Sequence, residues 1–219
     1  MKIVCGIDEA GRGPAVGPMV ICGASFPENI SDKLKEIGVK DSKLLLPEER
    51  EELFEKVTEL CKKKYYIIII SPDEIDSAVA EKDLNWLEAR KTAEIINFLR
   101  PNKAIIDCPN PNTKSYSEYI RERLIDKKTE IVAEHKADFK YPVVGAASIL
   151  AKVTRDAEIE KIKEKIGIDF GSGYPSDPKT KKFIEENFDN KKFASIIRHS
   201  WSPVKARVSE KEQSRLGDF

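Results

Sequence analysis

Two apolar, strand-like segments follow one another at the start of the chain, before any helical pattern begins. Residues 3–9 form the first predicted strand and residues 18–26 the second, with a glycine-containing loop between them. Later strand-like segments alternate with helical ones. Consecutive strands usually pair antiparallel, whereas strands separated by helices pair parallel. The order therefore predicts an α/β fold with a mixed sheet flanked by helices.

The later elements extend this pattern up to a change of character near Gly167. Three further strands are predicted at 65–71, 103–107 and 129–134, and four helices at 47–60, 83–100, 115–124 and 142–166. Past Gly167, glycines and prolines predict a loop, and a charged helical segment without a clear strand follows. We therefore predict a main domain over residues 1–168 and a small helical C-terminal appendage with its tail over residues 169–219.

The charge balance and hydropathy of the chain exclude some classes of protein but do not identify its function. The 219 residues carry 38 basic and 38 acidic side chains, and this balance neither indicates nor excludes a nucleic-acid partner. The chain has no apolar run of membrane-spanning length and no signal-peptide pattern. We expect a cytoplasmic monomer with no membrane partner. The abundance of lysine and glutamate leans towards a thermophilic source.

The cysteines and histidines do not make a metal-binding pattern. The four cysteines lack zinc-site spacing, and we expect them to be buried free thiols. A Cys5–Cys22 bridge is the alternative, which a reducing cytosol disfavours. The two histidines are too few and too scattered for a histidine-rich site. Any metal would need oxygen ligands, and this points to Mg²⁺ or Mn²⁺.

Four acidic residues stand at or just beyond the ends of predicted strands. Asp8 and Glu9 end the first strand, Asp107 ends the strand at 103–107, and Asp138 follows the strand at 129–134. Ligands bind at the carboxyl ends of strands in open α/β sheets, so these carboxylates converge if their strands are neighbours. Clustered carboxylates repel one another, and divalent cations relieve that repulsion and support phosphoryl transfer. A solvated strand end is the alternative for any single acid.

A glycine loop, Gly11-Arg12-Gly13, directly follows the first acidic pair. Glycines let a backbone approach a ligand closely and present its N–H groups. No Gly-Lys-Ser/Thr sequence follows, so the loop is not a phosphate-binding P-loop. Taken alone, the segment favours a tight turn between strands.

Longer motifs resemble a known family. The segment from Gly6 to Gly13, with Pro14, Gly17 and Pro18 after it, is similar to the N-terminal signature of type 2 ribonuclease H, whose single-chain form is ribonuclease HII. The similarity looks greatest to the archaeal branch. Further motifs that resemble the family occur in family order: Asp41-Ser42-Lys43-Leu44, Ile106-Asp107, Ala137-Asp138, Ala146-Ala147-Ser148-Ile149, Ala151-Lys152-Val153, Arg155-Asp156, and Gly171 to Asp177. The ordered set covers most of the chain from residue 6 to about 203 and is highly specific.

The resemblance implies a ribonuclease H-like fold and a two-metal endonuclease. It assigns the catalytic and metal-binding roles to Asp8, Glu9, Asp107 and Asp138, the acids at the strand ends. It implies hydrolysis of the RNA strand of RNA–DNA hybrids. It also implies cleavage on the 5′ side of single ribonucleotides in duplex DNA, leaving a 5′-phosphate and a 3′-hydroxyl.

The resemblance also implies the substrate contacts. Backbone groups of Gly11, Arg12 and Gly13 bind the 2′-hydroxyl, the group that distinguishes RNA from DNA. Tyr174 stacks on the deoxyribose of the next nucleotide, and packing on the core is the alternative. The candidate phosphate contacts are Lys43, Ser148, Lys152 and Arg155. The last three share one helix face by their spacing, for which a solvated face is the alternative.

Two features lie outside the matching motifs. Phe139 follows Asp138 where the family commonly has a smaller residue, which alters local packing but not the carboxylate. The segment Arg198-His199-Ser200-Trp201 resembles a family motif, and we assign it to structure, with Trp201 as a core anchor.

The last residues resemble a sliding-clamp-binding peptide. Gln213, Leu216 and Phe219 have the spacing of that motif, although its second aromatic residue is missing. A short helical turn would place Leu216 and Phe219 in one apolar pocket. A frayed polar tail is the alternative.

Two other functions compete with an endoribonuclease. A DNA junction resolvase or transposase-like nuclease would keep the fold and metals but change the substrate, and the segments around Gly11 and Tyr174 argue against it. A non-catalytic duplex-binding accessory of the clamp would gain nothing from four clustered carboxylates.

Overall fold

The structure, a computed structural model, describes residues 2–39 and 46–206. One five-stranded sheet has the strand order β3-β2-β1-β4-β5. Its strands are β1 (Ile3–Ala10), β2 (Met19–Pro27), β3 (Tyr65–Ile70), β4 (Lys103–Asp107) and β5 (Glu130–Glu134). The helices are α1 (Ser31–Glu36), α2 (Pro47–Leu60), α3 (Pro72–Ala80), α4 (Leu84–Leu99), α5 (Thr113–Arg123), α6 (Ala137–Lys140), α7 (Pro142–Ile166) and α8 (Pro178–Asn187), followed by a 3₁₀ helix at Lys191–Ile196.

β1 is the central strand of the sheet. It pairs antiparallel with β2 and parallel with β4, and β4 pairs parallel with β5. The predicted mixed sheet flanked by helices is therefore confirmed. Because β1, β4 and β5 run in the same direction, their carboxyl ends lie at one edge of the sheet, where the predicted acids stand.

The predicted helices and strands agree with the structure to within about two residues at their ends, and the prediction omitted three helices. α1 and α6 are too short, at six and four residues, to show a helical period. α3 does have start signals, because Pro72 occupies its first turn and the Ser71 side chain accepts a hydrogen bond from the Glu74 N–H at 3.2 Å.

The chain forms two compact units. The first contains residues up to Ala10, Val20–Ile69 and Asn85–Thr154, and the second contains Gly11–Met19, Ile70–Leu84 and the residues from Arg155 onward. The predicted domain boundary at residue 168 stays a prediction, since α7 contributes residues to both units. Each unit has its own core, the first around Phe26, Leu34 and Val144 and the second around Phe170, Phe183 and Phe193.

A backbone contact within the first unit sets the position of α7. A Cβ atom at Gly6 of β1 would lie 2.0 Å from the carbonyl oxygen of Val143, in the first turn of α7. Only glycine permits this approach, because a side chain would collide with backbone that cannot rotate away. The contact brings the start of α7 against the strand that carries Asp8.

Two smaller predictions can also be compared with the structure. All four cysteines are buried free thiols, as predicted.

Across residues 2–39 and 46–206, every helix is too short or too polar to cross a membrane.

Candidate active site

Asp8 occupies a buried position near the carboxyl end of β1. Only 5% of its surface is exposed. One carboxylate oxygen accepts the Glu9 N–H at 2.8 Å, and the carboxylate also accepts the hydroxyl of Ser148 on α7. The packing of α7 on Gly6 therefore brings a side-chain donor to this carboxylate.

Asp107 accepts a hydrogen bond from the residue before Asp138. β1 and β4 pair in parallel with Ile7 opposite Ile106, so the residues that follow, Asp8 and Asp107, are neighbours on adjacent strands. The Asp107 carboxylate accepts the Ala137 N–H at 2.8 Å. Ala137 begins α6, and the next residue is Asp138. Asp107 therefore fixes the helix turn that carries Asp138.

The three aspartates interact electrostatically. Removal from water raises the pKa of Asp8 to about 7, the hydrogen bond from Ser148 opposes this change, and the negative charges of Asp107 and Asp138 add to it. A buried carboxyl group beside two others is disfavoured in its ionised form. Asp107 and Asp138 therefore both act on Asp8 through their charges, and the joint role of the acids as a site stays a prediction.

Glu9 follows Asp8 in β1. Burial raises the pKa of Cys108 and of Tyr116, and the negative charge of Glu9 adds to both changes. The charge of Asp107 also raises the pKa of Cys108, so Glu9 and Asp107 both act on the residue that directly follows β4. The role of Glu9 as a metal ligand stays a prediction.

The acids in the described part of the chain do not have the geometry of a metal site. Within residues 2–39 and 46–206, no three His, Cys, Asp or Glu side chains have ligand geometry. Both Asp8 and Asp107 instead direct a carboxylate oxygen to a backbone N–H. The chemistry of the set nevertheless fits a hard divalent cation, because its donors are carboxylate oxygens. A cation would also offset the burial and the neighbouring negative charges that raise the pKa of Asp8.

The second unit contains the glycine loop, and its backbone carbonyls are hydrogen-bonded. Gly11 has φ of +83°, which favours glycine, and a Cβ atom there would lie 2.8 Å from the carbonyl oxygen of Pro18. Arg198 donates to the carbonyls of Gly11 at 2.6 Å and Arg12 at 3.0 Å. The indole N–H of Trp201 donates to the Gly13 carbonyl at 2.9 Å.

The loop that carries Tyr174 is fastened in the same unit. The Arg155 guanidinium donates to the Ser172 carbonyl at 2.6 Å and lies 5.2 Å from the centre of the Tyr174 ring. The N–H groups of Ala15 and Val16 both donate to the Gly173 carbonyl. Tyr174 is half-buried. The structure therefore brings the predicted 2′-hydroxyl loop and the predicted stacking residue into one hydrogen-bonded assembly.

The predicted phosphate contacts differ in exposure. Ser148 and Lys152 are partly exposed one helical turn apart on α7. Arg155 is only 2% exposed and directed at the Tyr174 loop, so its predicted phosphate contact gains no support from its position. Lys43 lies outside the described residues. So does the predicted clamp-binding tail, Gln213, Leu216 and Phe219.

The sequence analysis missed Asp76 and part of the role of Trp201. The Asp76 carboxylate accepts the N–H groups of His199 at 2.7 Å and Ser200 at 3.0 Å. Trp201 packs on the second core, as predicted, but it is partly exposed and also holds the glycine loop. No local signal marks Asp76, because its partners are more than 120 residues further along the chain.

Comparison with known proteins agrees with this architecture. The model of the family described as Ribonuclease HII matches residues 5–204. The chain belongs to the ribonuclease HII family. A ribonuclease HII from Pyrococcus furiosus is 50% identical over 91% of this chain and 88% of its own length. The chain is accordingly a metal-dependent ribonuclease that degrades the RNA of RNA–DNA hybrids.

Solved structures confirm the ribonuclease H-like fold. The crystal structure of the ribonuclease H2 from Pyrococcus horikoshii superposes with a TM-score of 0.84 at 44% identity and covers 95% of this chain and 98% of that one. The structure of the PCNA:RNase HII complex from Archaeoglobus fulgidus has a TM-score of 0.82 at 42% identity, covering 91% of this chain and 95% of that one.

The replacement Asp8→Asn tests whether the fold disfavours the ionised form of Asp8. Because the pKa of Asp8 in the fold, about 7, is above its ordinary 3.8, ionisation opposes folding increasingly from about pH 4 to about pH 7. We expect Asp8→Asn to raise the free energy of unfolding of the metal-free protein by roughly 4 kcal/mol at about pH 8 and by almost nothing near pH 4. Urea denaturation with a chelator present measures both values.

The exposed residue Asp32 provides the control, since its side chain is 90% exposed on α1. Asp32→Asn should show no comparable dependence on pH. An Asp8→Asn effect that is the same at both pH values would contradict the raised pKa of Asp8 in the fold.

Proposed function

We propose that this ribonuclease cuts on the 5′ side of ribonucleotides embedded in duplex DNA, as well as within RNA–DNA hybrids, and leaves a 5′-phosphate and a 3′-hydroxyl. The observation that carries the proposal is the fixed backbone of Gly11–Gly13, two residues after Glu9 in the chain. Arg198 and Trp201 hold all three of its carbonyls. A backbone held in this way can read one hydroxyl group on a sugar.

The acids supply the reaction centre. Asp8, Glu9, Asp107 and Asp138 would hold divalent cations, Mg²⁺ or Mn²⁺. When bound, two such cations activate a water molecule and stabilise the leaving oxygen. The hydrogen bond from Ser148 orients the Asp8 carboxylate, and the Ala137 N–H orients that of Asp107. These contacts restrict the rotation of the two ligands before a substrate arrives.

Recognition of the ribonucleotide requires contact with its 2′-hydroxyl, because that group alone separates RNA from DNA at one nucleotide. We assign this contact to the backbone of Gly11, Arg12 and Gly13. Gly13 is exposed, and a Cβ atom there would lie 3.7 Å from the Tyr174 ring. Tyr174 would stack on the next sugar, where a deoxyribose leaves room for the ring.

Contacts to phosphate position the duplex without reading its sequence. We assign them to Lys43, Ser148 and Lys152. Arg155 has a different task in this proposal: its buried guanidinium supports the Ser172 carbonyl and thereby the loop of Tyr174. We expect the enzyme to act as a cytoplasmic monomer in DNA replication and repair.

Cleavage of three duplexes tests the proposal. With Mg²⁺ or Mn²⁺, we expect cleavage of an RNA–DNA hybrid and of a DNA duplex with one ribonucleotide, but not of all-DNA duplexes or four-way junctions. Asp8→Asn should lower the rate by at least about a hundredfold, since it removes a carboxylate ligand, and excess chelator should abolish cleavage. Product ends are identified by mass spectrometry.

The outcomes separate the competing functions. Cleavage of the all-DNA junction would favour a resolvase. Tight duplex binding without metal-dependent cleavage would favour an accessory protein. Full activity of Asp8→Asn, with Asp32→Asn as the matched control, would contradict the assignment of the reaction centre.

We also propose that the C-terminal tail binds a sliding clamp through Gln213, Leu216 and Phe219. The Archaeoglobus fulgidus relative, solved as a complex with PCNA, supports this assignment. The double variant Leu216→Ala/Phe219→Ala should weaken clamp binding by at least about tenfold, because each change removes a buried apolar anchor. Calorimetry measures the affinity, and Asp218→Asn is the control. Unchanged clamp affinity in the double variant would contradict the proposal.

A further inference from the structure

The side chains of Arg198 and Trp201 make four hydrogen bonds to backbone carbonyls near the glycine loop. The Arg198 guanidinium donates to Gly11 at 2.6 Å, to Arg12 at 3.0 Å and to Gly17 at 3.0 Å. The Trp201 indole donates to Gly13 at 2.9 Å. The carbonyl oxygens of Gly11–Gly13 are therefore all directed at these two side chains.

This orientation determines where the amides of the loop point. The described chain has no cis peptide bond, and in a trans peptide the carbonyl of one residue and the N–H of the next point in opposite directions. The N–H groups of Arg12 and Gly13 are therefore directed away from Arg198 and Trp201. The third peptide has no N–H, because Pro14 follows Gly13. The loop thus aims two donors at its opposite side.

The chemistry of Arg198 fits this task better than simple packing. The side chain is fully buried, and removal from water, together with repulsion by Arg155, lowers the pKa of Arg198 to about 9. Burying a cation is costly, and an apolar side chain would fill the same space without that cost. A guanidinium, however, offers five donors in one plane, enough to hold three carbonyls at once.

The segment that carries these side chains is itself fixed within the second unit. The Asp76 carboxylate accepts the N–H groups of His199 and Ser200. The Arg198 N–H donates to the Ala15 carbonyl at 2.8 Å. Asp76 therefore holds the backbone between Arg198 and Trp201, and the two side chains hold the loop.

We propose that Arg198 and Trp201 are positioning residues that set the ribonucleotide selectivity of the enzyme. By holding the carbonyls of Gly11–Gly13, they aim the Arg12 and Gly13 amides at the oxygen of the 2′-hydroxyl. This inference rests on the proposed function of the loop. It adds that selectivity depends on the C-terminal segment Arg198–Trp201 and on its support by Asp76.

Trp201→Phe is the decisive variant, because it keeps an aromatic ring but removes the N–H that holds the Gly13 carbonyl. With Mn²⁺ present, we measure kcat/KM on a DNA duplex with one ribonucleotide, and the inhibition constant of the same duplex made entirely of DNA. We expect kcat/KM to fall roughly fivefold, as for the loss of one hydrogen bond, with an unchanged inhibition constant. Arg198→Lys should lower kcat/KM further, because a single ammonium group cannot reach all three carbonyls that the guanidinium holds.

Trp86→Phe is the matched control. The chain has two tryptophans, and Trp86 packs on Tyr119 in the first unit with ring centres 4.6 Å apart. We expect both kinetic constants of this variant to match the wild type. Thermal unfolding checks that each variant is folded. If Arg198→Lys does not fold, Trp201→Phe alone tests the positioning role.

The outcomes separate this inference from the proposed function. A wild-type enzyme that does not prefer the ribonucleotide duplex would contradict the proposed function itself. A selective wild type with unchanged selectivity in Trp201→Phe would overturn the positioning role alone. An equal weakening of kcat/KM and of all-DNA inhibition would show a general structural defect and would also overturn it.

Discussion

The burial of Asp8 beside Asp107 and Asp138 is the constraint on which the rest of the structure depends. Asp8 is buried, and its ionised form is disfavoured by loss of water and by the two neighbouring charges. The fold holds the carboxylates together nevertheless. Gly6 admits the backbone of α7 to β1, and Asp107 fixes the start of α6 through the Ala137 N–H. Stability given up at such a position is commonly the cost of function.

The two units use different parts of the chain for their tasks. In the first unit, side-chain carboxylates provide charge, and hydrogen bonds from Ser148 and the backbone restrain them. In the second, buried arginine side chains restrain backbone loops: Arg155 holds the Tyr174 loop, and Arg198 holds the glycine loop. In the second unit, these two arginines therefore support the backbone groups to which we assign recognition of the ribonucleotide.

Much of the first unit could be predicted from local sequence. The apolar run of β1 and its acidic end located Asp8, and the strand order placed Asp107 nearby. The charge of Glu9 acts on Cys108 and Tyr116, and the charge of Asp107 acts on Cys108 as well. The positions of the strand ends could not decide whether all four acids converge. Asp8 and Glu9 are neighbours in one strand, and neighbouring residues of a strand point to opposite faces.

The second unit was harder to predict, because its contacts are distant in sequence. Arg198 lies 187 residues beyond Gly11, and His199 lies 123 residues beyond Asp76. No spacing rule connects such residues. The resemblance to a family identified the loop and Tyr174, but it left Arg198 and Trp201 as structural residues and Asp76 unnoticed. The hydrogen-bond network shows what these residues hold.

The most direct measurement is calorimetric Mn²⁺ binding to the protein without substrate, because the buried carboxyl group that the fold disfavours in its ionised form is proposed to be a ligand of the metal. Wild type and Asp32→Asn should bind Mn²⁺ with the same affinity, whereas Asp8→Asn and Asp107→Asn should each bind at least about tenfold more weakly. Equal Mn²⁺ affinity in all four proteins would contradict the account, because the metal would then bind elsewhere.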